Sequence, residues 1–319
     1  MYRVRQSDCP AARARPIAVP MVRPDHHPLA GLALGLIGVA IFGATLPMTR
    51  IALGGFDPLF ITCGRALIAS AIAGLALRLS GRRMPVGRLR EFLVVGVFLV
   101  FAFPGFVALA LKTVPAAHGG IVLGLLPLLT AAFAAVFAGE RPGPAFWGWS
   151  LAGAGLVLAF TLTGSGMAPG TGDLWLLLAS VTTALGYVFS GRLARDMAGW
   201  EVIGWALVLC APVSAAGTLW SLAKGGIHAP GAAEWLALCY LGAGSMFLGF
   251  LFWNAGLAIG GIARVGQVQL VQTFITLALS ALLLGEAVTP QMLGYAVAVC
   301  TVVWLGRKAR VGVAAPRRG

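Results

Sequence analysis

Residues 123–158 read LGLLPLLTAAFAAVFAGERPGPAFWGWSLAGAGLVL, and residues 269–304 read QLVQTFITLALSALLLGEAVTPQMLGYAVAVCTVVW. Each is an apolar run closed by Gly-Glu, with a proline soon after it and a second apolar run beyond. A shift of 146 residues lays Gly139 on Gly285, Glu140 on Glu286 and Pro144 on Pro290. The same shift pairs Ala117 with Ala263, Gly120 with Gly266, Thr130 with Thr276 and Gly148 with Gly294, and upstream Phe106 with Phe252. Small residues coincide by chance in a chain with 44 glycines. A Gly-Glu and a Pro at one fixed distance are harder to match by chance when only 10 of 319 residues are acidic. The halves therefore read as two copies of one unit.

The runs that carry the repeat also set the class. The chain is 59% hydrophobic and 10% charged, with a mean hydropathy of +0.91. Soluble domains carry about 25% charged residues, so this is not a soluble protein with a large core. Apolar stretches of about 20 residues recur, each long enough to cross a ~30 Å hydrocarbon layer as a helix. Continuous runs, in place of alternating ten-residue strands, argue against a β-barrel. Five scattered cysteines without a C-x-x-C suggest neither a disulfide framework nor a zinc site, and no metal or cofactor is expected.

The runs predict ten spans, at roughly 29–49, 58–77, 92–111, 116–138, 145–163, 172–191, 202–222, 235–257, 262–284 and 290–305. Residues 1–28, rich in Arg and Pro, read as a disordered tail, with Met21 as an alternative start, and 307–319 as a basic tail. The net charge of +13 is placed asymmetrically. With the N-terminus inside, inner segments carry 19 of the 23 basic residues and outer segments only Arg50, Lys112 and Lys224, while Arg65 lies within a span. That bias is what the positive-inside rule requires of an even number of spans with both ends cytoplasmic. The charge therefore reads as orientation, and nucleic acid is not an expected partner. Five spans per copy, an odd number, turn the second copy upside down relative to the first, which is a transporter architecture.

The two quoted stretches resemble the closing halves of two EamA domains, the five-helix repeats of the drug/metabolite transporter superfamily. The resemblance extends over nearly all of 29–306 and includes ALALKTVPAAHGGIVLGLLP and FWNAGLAIGGIARVGQVQLVQ. It places a first repeat at 29–163 and a second at 172–306. The chain departs from the family pattern at Thr273, where the first copy has Pro127, and at Phe42-Gly43, where Trp-Gly is usual. The resemblance implies a carrier of small metabolites, amino acids or related compounds, acting as an exporter in a bacterial inner membrane. Efflux of drug cations and a non-transporting partner subunit or receptor are the alternatives.

Several residues stand out against the apolar background. Arg65 sits eight residues into the second span, and a charge at such depth faces a cavity or a partner by default. It either forks onto an anionic group or pairs with carbonyls at a helix end. Gln269, Gln272, Thr273, Thr276 and Ser280 fall on one helical stripe of the ninth span. That stripe lines a cavity or supplies hydrogen bonds between helices. Tyr187 and Asn254 complete the expected substrate-binding set of Arg65, Tyr187, Asn254, Gln269, Gln272 and Thr276. Glu140, Glu286 and His118 at span ends are candidate gating residues, the simpler reading of the two glutamates being helix-end caps. No carboxylate lies mid-span, and no Walker A, HExxH or nucleophile elbow is present, so an enzyme is not expected. The expected partners are a small-molecule substrate and the lipid bilayer; a proton as coupling ion and a homodimer stay open.

Overall fold

The computed structural model describes residues 28–137, 140–164, 170–194, 196–260, 266–308 and 311–313. Its apolar helices, in chain order, are α1 (Leu29–Ala52), α2 (Pro58–Leu79), α3 (Val86–Ala110), α4 (Ala116–Phe137), α5 (Trp147–Leu162), α6 (Thr171–Leu193), α7 (Gly199–Ala223), α8 (Ala232–Gly256), α9 (Leu270–Leu284) and α10 (Pro290–Gly306). Seven are long and apolar enough to cross a membrane; α5, α9 and α10 are shorter. The expected tail of residues 1–28 lies outside the described residues except at Pro28, and the tail of 307–319 largely so.

The clearest difference from expectation is α9, whose α-helix begins only at Leu270, after a 3-10 turn over Gly266–Gln269. Glycine is a poor helix former, and residues 261–265, where the expected span begins, are outside the described set. Fifteen helical residues reach about 22 Å, and the 3-10 turn adds roughly 8 Å. Together they match the ~30 Å hydrocarbon layer.

Local chemistry sets the helix ends. The Phe60 N–H donates to Asp57 Oδ1 (2.6 Å), and Pro58 opens α2 at the position where a missing N–H costs nothing. Asp173 and Glu234, three residues in, accept the backbone N–H of Gly170 (3.0 Å) and Gly231 (2.8 Å) before α6 and α8. Gly81 (φ 63°) follows α2, and Gly225 (φ 77°) follows its counterpart α7. Both take the left-handed conformation that favours glycine.

The repeat continues in the irregularities. α3 loosens to a π-helix over Gly96–Ala102, and α8 does so over Tyr240–Leu248, the corresponding stretch. In α3, Pro104 lacks the N–H that an α-helix would direct four residues back. Packing repeats too. α1 packs on α8 and α6 on α3; α4 packs on α6 and α9 on α1. The counterparts α2 and α7, α4 and α9, and α5 and α10 pack on each other. Exchanging the two halves leaves this pattern unchanged, so the sequence repeat is a structural repeat. At the α1–α8 crossing a Cβ on Gly256 would lie 2.7 Å from the Gly35 nitrogen and 2.9 Å from the Gly31 oxygen. Only glycine allows that backbone approach.

Beyond helices, the described residues form one short strand pair, β1 (Glu140–Pro142) antiparallel to β2 (Val311–Val313), with Glu140 opposite Val313. An isolated bridge joins Phe56 to Ile227.

Candidate functional site

Arg65 stands two turns into α2, and its side chain is turned inward, leaving the residue 2% exposed. Nη2 donates to Ser245 Oγ (3.1 Å), and that hydroxyl is 2.8 Å from Thr45 Oγ1. Nε has no hydrogen-bond partner, and no ion pair involves Arg65 among the described residues. A buried guanidinium held only by a neutral hydroxyl is an unusual arrangement, because buried charges are ordinarily paired.

The guanidinium borders a cavity at the seam of the two repeats. Phe42 and Thr45 of α1, Leu99 and Phe103 of α3, Thr183 and Tyr187 of α6, Ser245 and Phe250 of α8, and Gln272 of α9 contribute to its wall. The π-helical stretches of α3 and α8 supply Leu99, Ser245 and Met246, so the loosened turns face this space. Unwound turns of this kind are frequent at functional sites. A second cavity shares Leu46, Leu123, Leu126 and Gln272 with the first and adds Pro127, Gln269, Thr273 and Thr276. The free volumes are only about 30 and 20 Å³, room for a few waters at most. The centre is contracted in this structure.

Of the six expected binding residues, five lie on these two adjoining cavities and one does not. Tyr187 meets Phe250 edge to face at 6.3 Å. Gln272 borders both cavities, and Gln269 and Thr276 border the second. The Thr276 hydroxyl is already engaged, donating to Gly43 O (2.8 Å), where α1 is interrupted between Gly43 and Thr45. Asn254 lies elsewhere, with its amide donating to Gly199 O (3.0 Å). It borders a wider cleft of about 580 Å³ with Ser80, Trp200 and Leu251. The π-helical middle of α8 faces the centre, while Gly199 lets the α7 backbone abut Asn254, since a Cβ there would lie 2.5 Å from the Asn254 Cβ. Thr45, Ser245 and Phe250 are cavity residues that the sequence reading missed. A lone Ser in the small-residue run GAGSM carries no periodic signal.

The expected gating residues separate as well. Glu286 accepts the first free N–H groups of α4, from Ala116 (2.9 Å) and Ala117 (2.8 Å), so it caps a helix of the other repeat. One residue on, His118 Nε2 is 2.7 Å from Asp173 Oδ1 of α6, with the two side chains 3% and 17% exposed. The imidazole tilts over Phe160 at 4.8 Å. Backbone atoms of Glu140 join β1, and its side chain lies outside the described set. At the opposite end, Arg82 pairs with Glu201 (3.4 Å) and Arg88 with Asp196 (2.6 Å). Among the described residues no three His, Cys, Asp or Glu side chains come together as a metal site.

Comparison with known proteins agrees with this architecture. The sequence profile of the EamA-like transporter family matches residues 29–162 and 170–307. The chain is 42% identical over 275 residues to an uncharacterized transporter, YdeK, of Bacillus subtilis, covering 86% of this chain and 96% of that one. It is 29% identical to the aromatic amino acid exporter YddG of Ancylobacter novellus, over 70% of this chain and 78% of the relative. It is 25% identical to a probable terminal-alkyne amino-acid exporter of Streptantibioticus cattleyicolor, over 86% and 92%. A solved crystal structure superposes with a TM-score of 0.60 at 22% identity, over 88% of this chain and 95% of its own, a likeness of fold alone. Two repeats with matching irregularities, helices suited to a bilayer and family profiles over both halves lead to one conclusion: the chain belongs to the EamA-like transporter family and is a multi-pass membrane transporter.

Proposed function

We propose that the protein is a ten-span secondary carrier of inverted five-helix repeats that exports a small metabolite, an amino acid or a related compound, by alternating access. Both termini face the cytoplasm of a bacterial inner membrane in this reading, as the basic residues of the inner segments support. The observation that carries it is the cavity at the seam of the repeats, with the buried Arg65 guanidinium on its wall. Ligand sites of carriers built from inverted repeats lie at that seam, near the bilayer midplane. Arg65, Tyr187 and Gln272 hold the substrate, with Gln269 and Thr276 at its edge. Relatives named as amino-acid exporters support the substrate class and the direction.

Alternation requires the centre to widen and one end to part. His118 with Asp173, and Glu286 with the start of α4, tie the repeats together at the end assigned to the outside, and they act as the outer gate. Glu140 is its counterpart at the inner end by repeat position. Among the described residues the lining of both cavities includes no Asp or Glu, which disfavours efflux of cations.

The test compares metabolites outside cells that carry the intact protein, an Arg65→Ala variant or no carrier, at matched surface expression. One class of compound should accumulate outside only with the intact protein, falling at least roughly tenfold in the variant. Equal export by the intact and variant proteins removes Arg65 from the path. If no compound moves with the intact protein, the transport reading fails.

A further inference from the structure

The charge balance of the central cavity narrows the substrate. Among the described residues the Arg65 guanidinium has one neutral hydrogen-bond partner, Ser245, and an Nε without any. Among the described residues neither cavity wall includes a carboxylate. The acidic group nearest in sequence is used elsewhere: Asp57 caps α2 and accepts the Ser221 hydroxyl (2.9 Å). The polar neighbours are neutral and partly committed. Thr183 donates to Ala179 O (2.7 Å), and Thr45 and Ser245 share a bond. The rest of the wall is apolar, with Phe42 and Phe250 edge to face at 5.2 Å and Leu99, Phe103 and Met246 around them.

A lone guanidinium at low dielectric is stabilised by any anion that reaches it, and a carboxylate fits its fork. An ammonium in the same space meets a like charge and no counter-charge, while losing its own hydration. A zwitterion gains at one end and loses at the other.

We infer that the cavity selects monoanionic carboxylates with an apolar or aromatic body, acids that lack an ammonium group, over the matching amino acids and amines. This rests on the seam cavity being the substrate site, and it narrows the proposed class from amino acids and related compounds to the related acids without the amino group. Arg65 receives the carboxylate, Ser245 and Gln272 flank it, and the phenylalanine cluster receives the body.

Three probes of one shape and different charge decide it: 3-phenylpropanoate, phenylalanine and 2-phenylethylamine, titrated at neutral pH into purified protein in nanodiscs. The acid should bind at least roughly tenfold more tightly than the zwitterion, and the amine should not compete. Arg65→Gln should abolish the preference, and Arg65→Lys should keep the order at lower affinity because the charge stays while the fork is lost. The inference is overturned if phenylalanine binds as tightly as the acid, if Arg65→Gln keeps the preference, or if none of the three binds the intact protein at millimolar concentration. Should the glutamine variant fail to fold, the series on the intact protein decides alone. Binding is read without a gradient, so its outcome is separable from transport. A protein that binds the acid yet moves nothing across a vesicle wall leaves this inference standing and sinks the carrier. One that exports zwitterions and binds them equally well does the reverse.

Discussion

Thr276 shows how one side chain in this protein serves two neighbours. It is 1% exposed, with its methyl against Gly120 of α4 and its hydroxyl on Gly43 O of α1. The α1 interruption frees carbonyls that lipid cannot satisfy, so the hydroxyl compensates for the break. Thr276→Val keeps the volume and removes the donor. It should lower the thermal unfolding midpoint in detergent, by a loss on the order of 1 kcal/mol, while Thr276→Ser should stay close to the parent. Equal midpoints for Val and the parent would show that Gly43 finds another donor. Arg65 is the contrasting case, a side chain whose partners in the fold leave its charge unmatched. The proposed role of Arg65 in binding would account for a charge kept at such cost.

At the scale of an element, the α9–α10 turn links a backbone conformation to a contact between repeats. Gly285 ends α9 with φ 65° and meets nothing within 4 Å where a Cβ would stand. Its constraint is therefore conformational, not steric. The turn brings the Glu286 carboxylate onto the positive end of α4, an interaction of about 0.3–1 kcal/mol when exposed and up to about 2 when partly buried. Gly285→Ala should destabilise the protein by roughly 1 kcal/mol through left-handed strain and loosen the Glu286 cap. Gly148→Ala, in α5 with equally open space and no positive φ, should be neutral or slightly stabilising, since alanine favours a helix. Thermal midpoints of the two variants side by side check this. Equal shifts would mean that backbone strain does not govern the turn.

At the scale of the whole molecule, α4 and its counterpart α9 in the other repeat meet at a close contact. Gly120 packs on Thr276, with a Cβ at Gly120 placed 3.2 Å from the Thr276 Cβ. His118–Asp173 and the Glu286 cap also tie the repeats together at the end of α4 near Gly120. If transport requires that end to open, a bridge there must stop it. Gly120→Cys with Thr276→Cys nearly meets disulfide geometry, whose Cβ separation is about 3.5–4.5 Å. In a background lacking the native cysteines, oxidation should arrest export and a reductant should restore it. Full export by the oxidised protein would show that α4 and α9 need not part.

The sequence by itself determined the class and the repeat, and it supplies the charge bias on which the proposed orientation rests, because each is written as a composition or a period. Bilayer thickness demands long apolar runs, inner loops collect Arg and Lys, and a duplicated unit keeps Gly-Glu and Pro in register at Glu140 and Glu286. It also marked Arg65, since a charge inside an oily run has no bland surroundings. Only the tertiary structure decided that Asn254 leaves the seam for Gly199, that Ser245 and Thr45 join it, and that Glu286 reaches across to α4. Those outcomes depend on how the helices pack, on a π-helical stretch of α8 that places Ser245 at the seam, and on a glycine narrow enough for Asn254 to abut its backbone. No local pattern encodes them, because each is a relation between segments up to 200 residues apart.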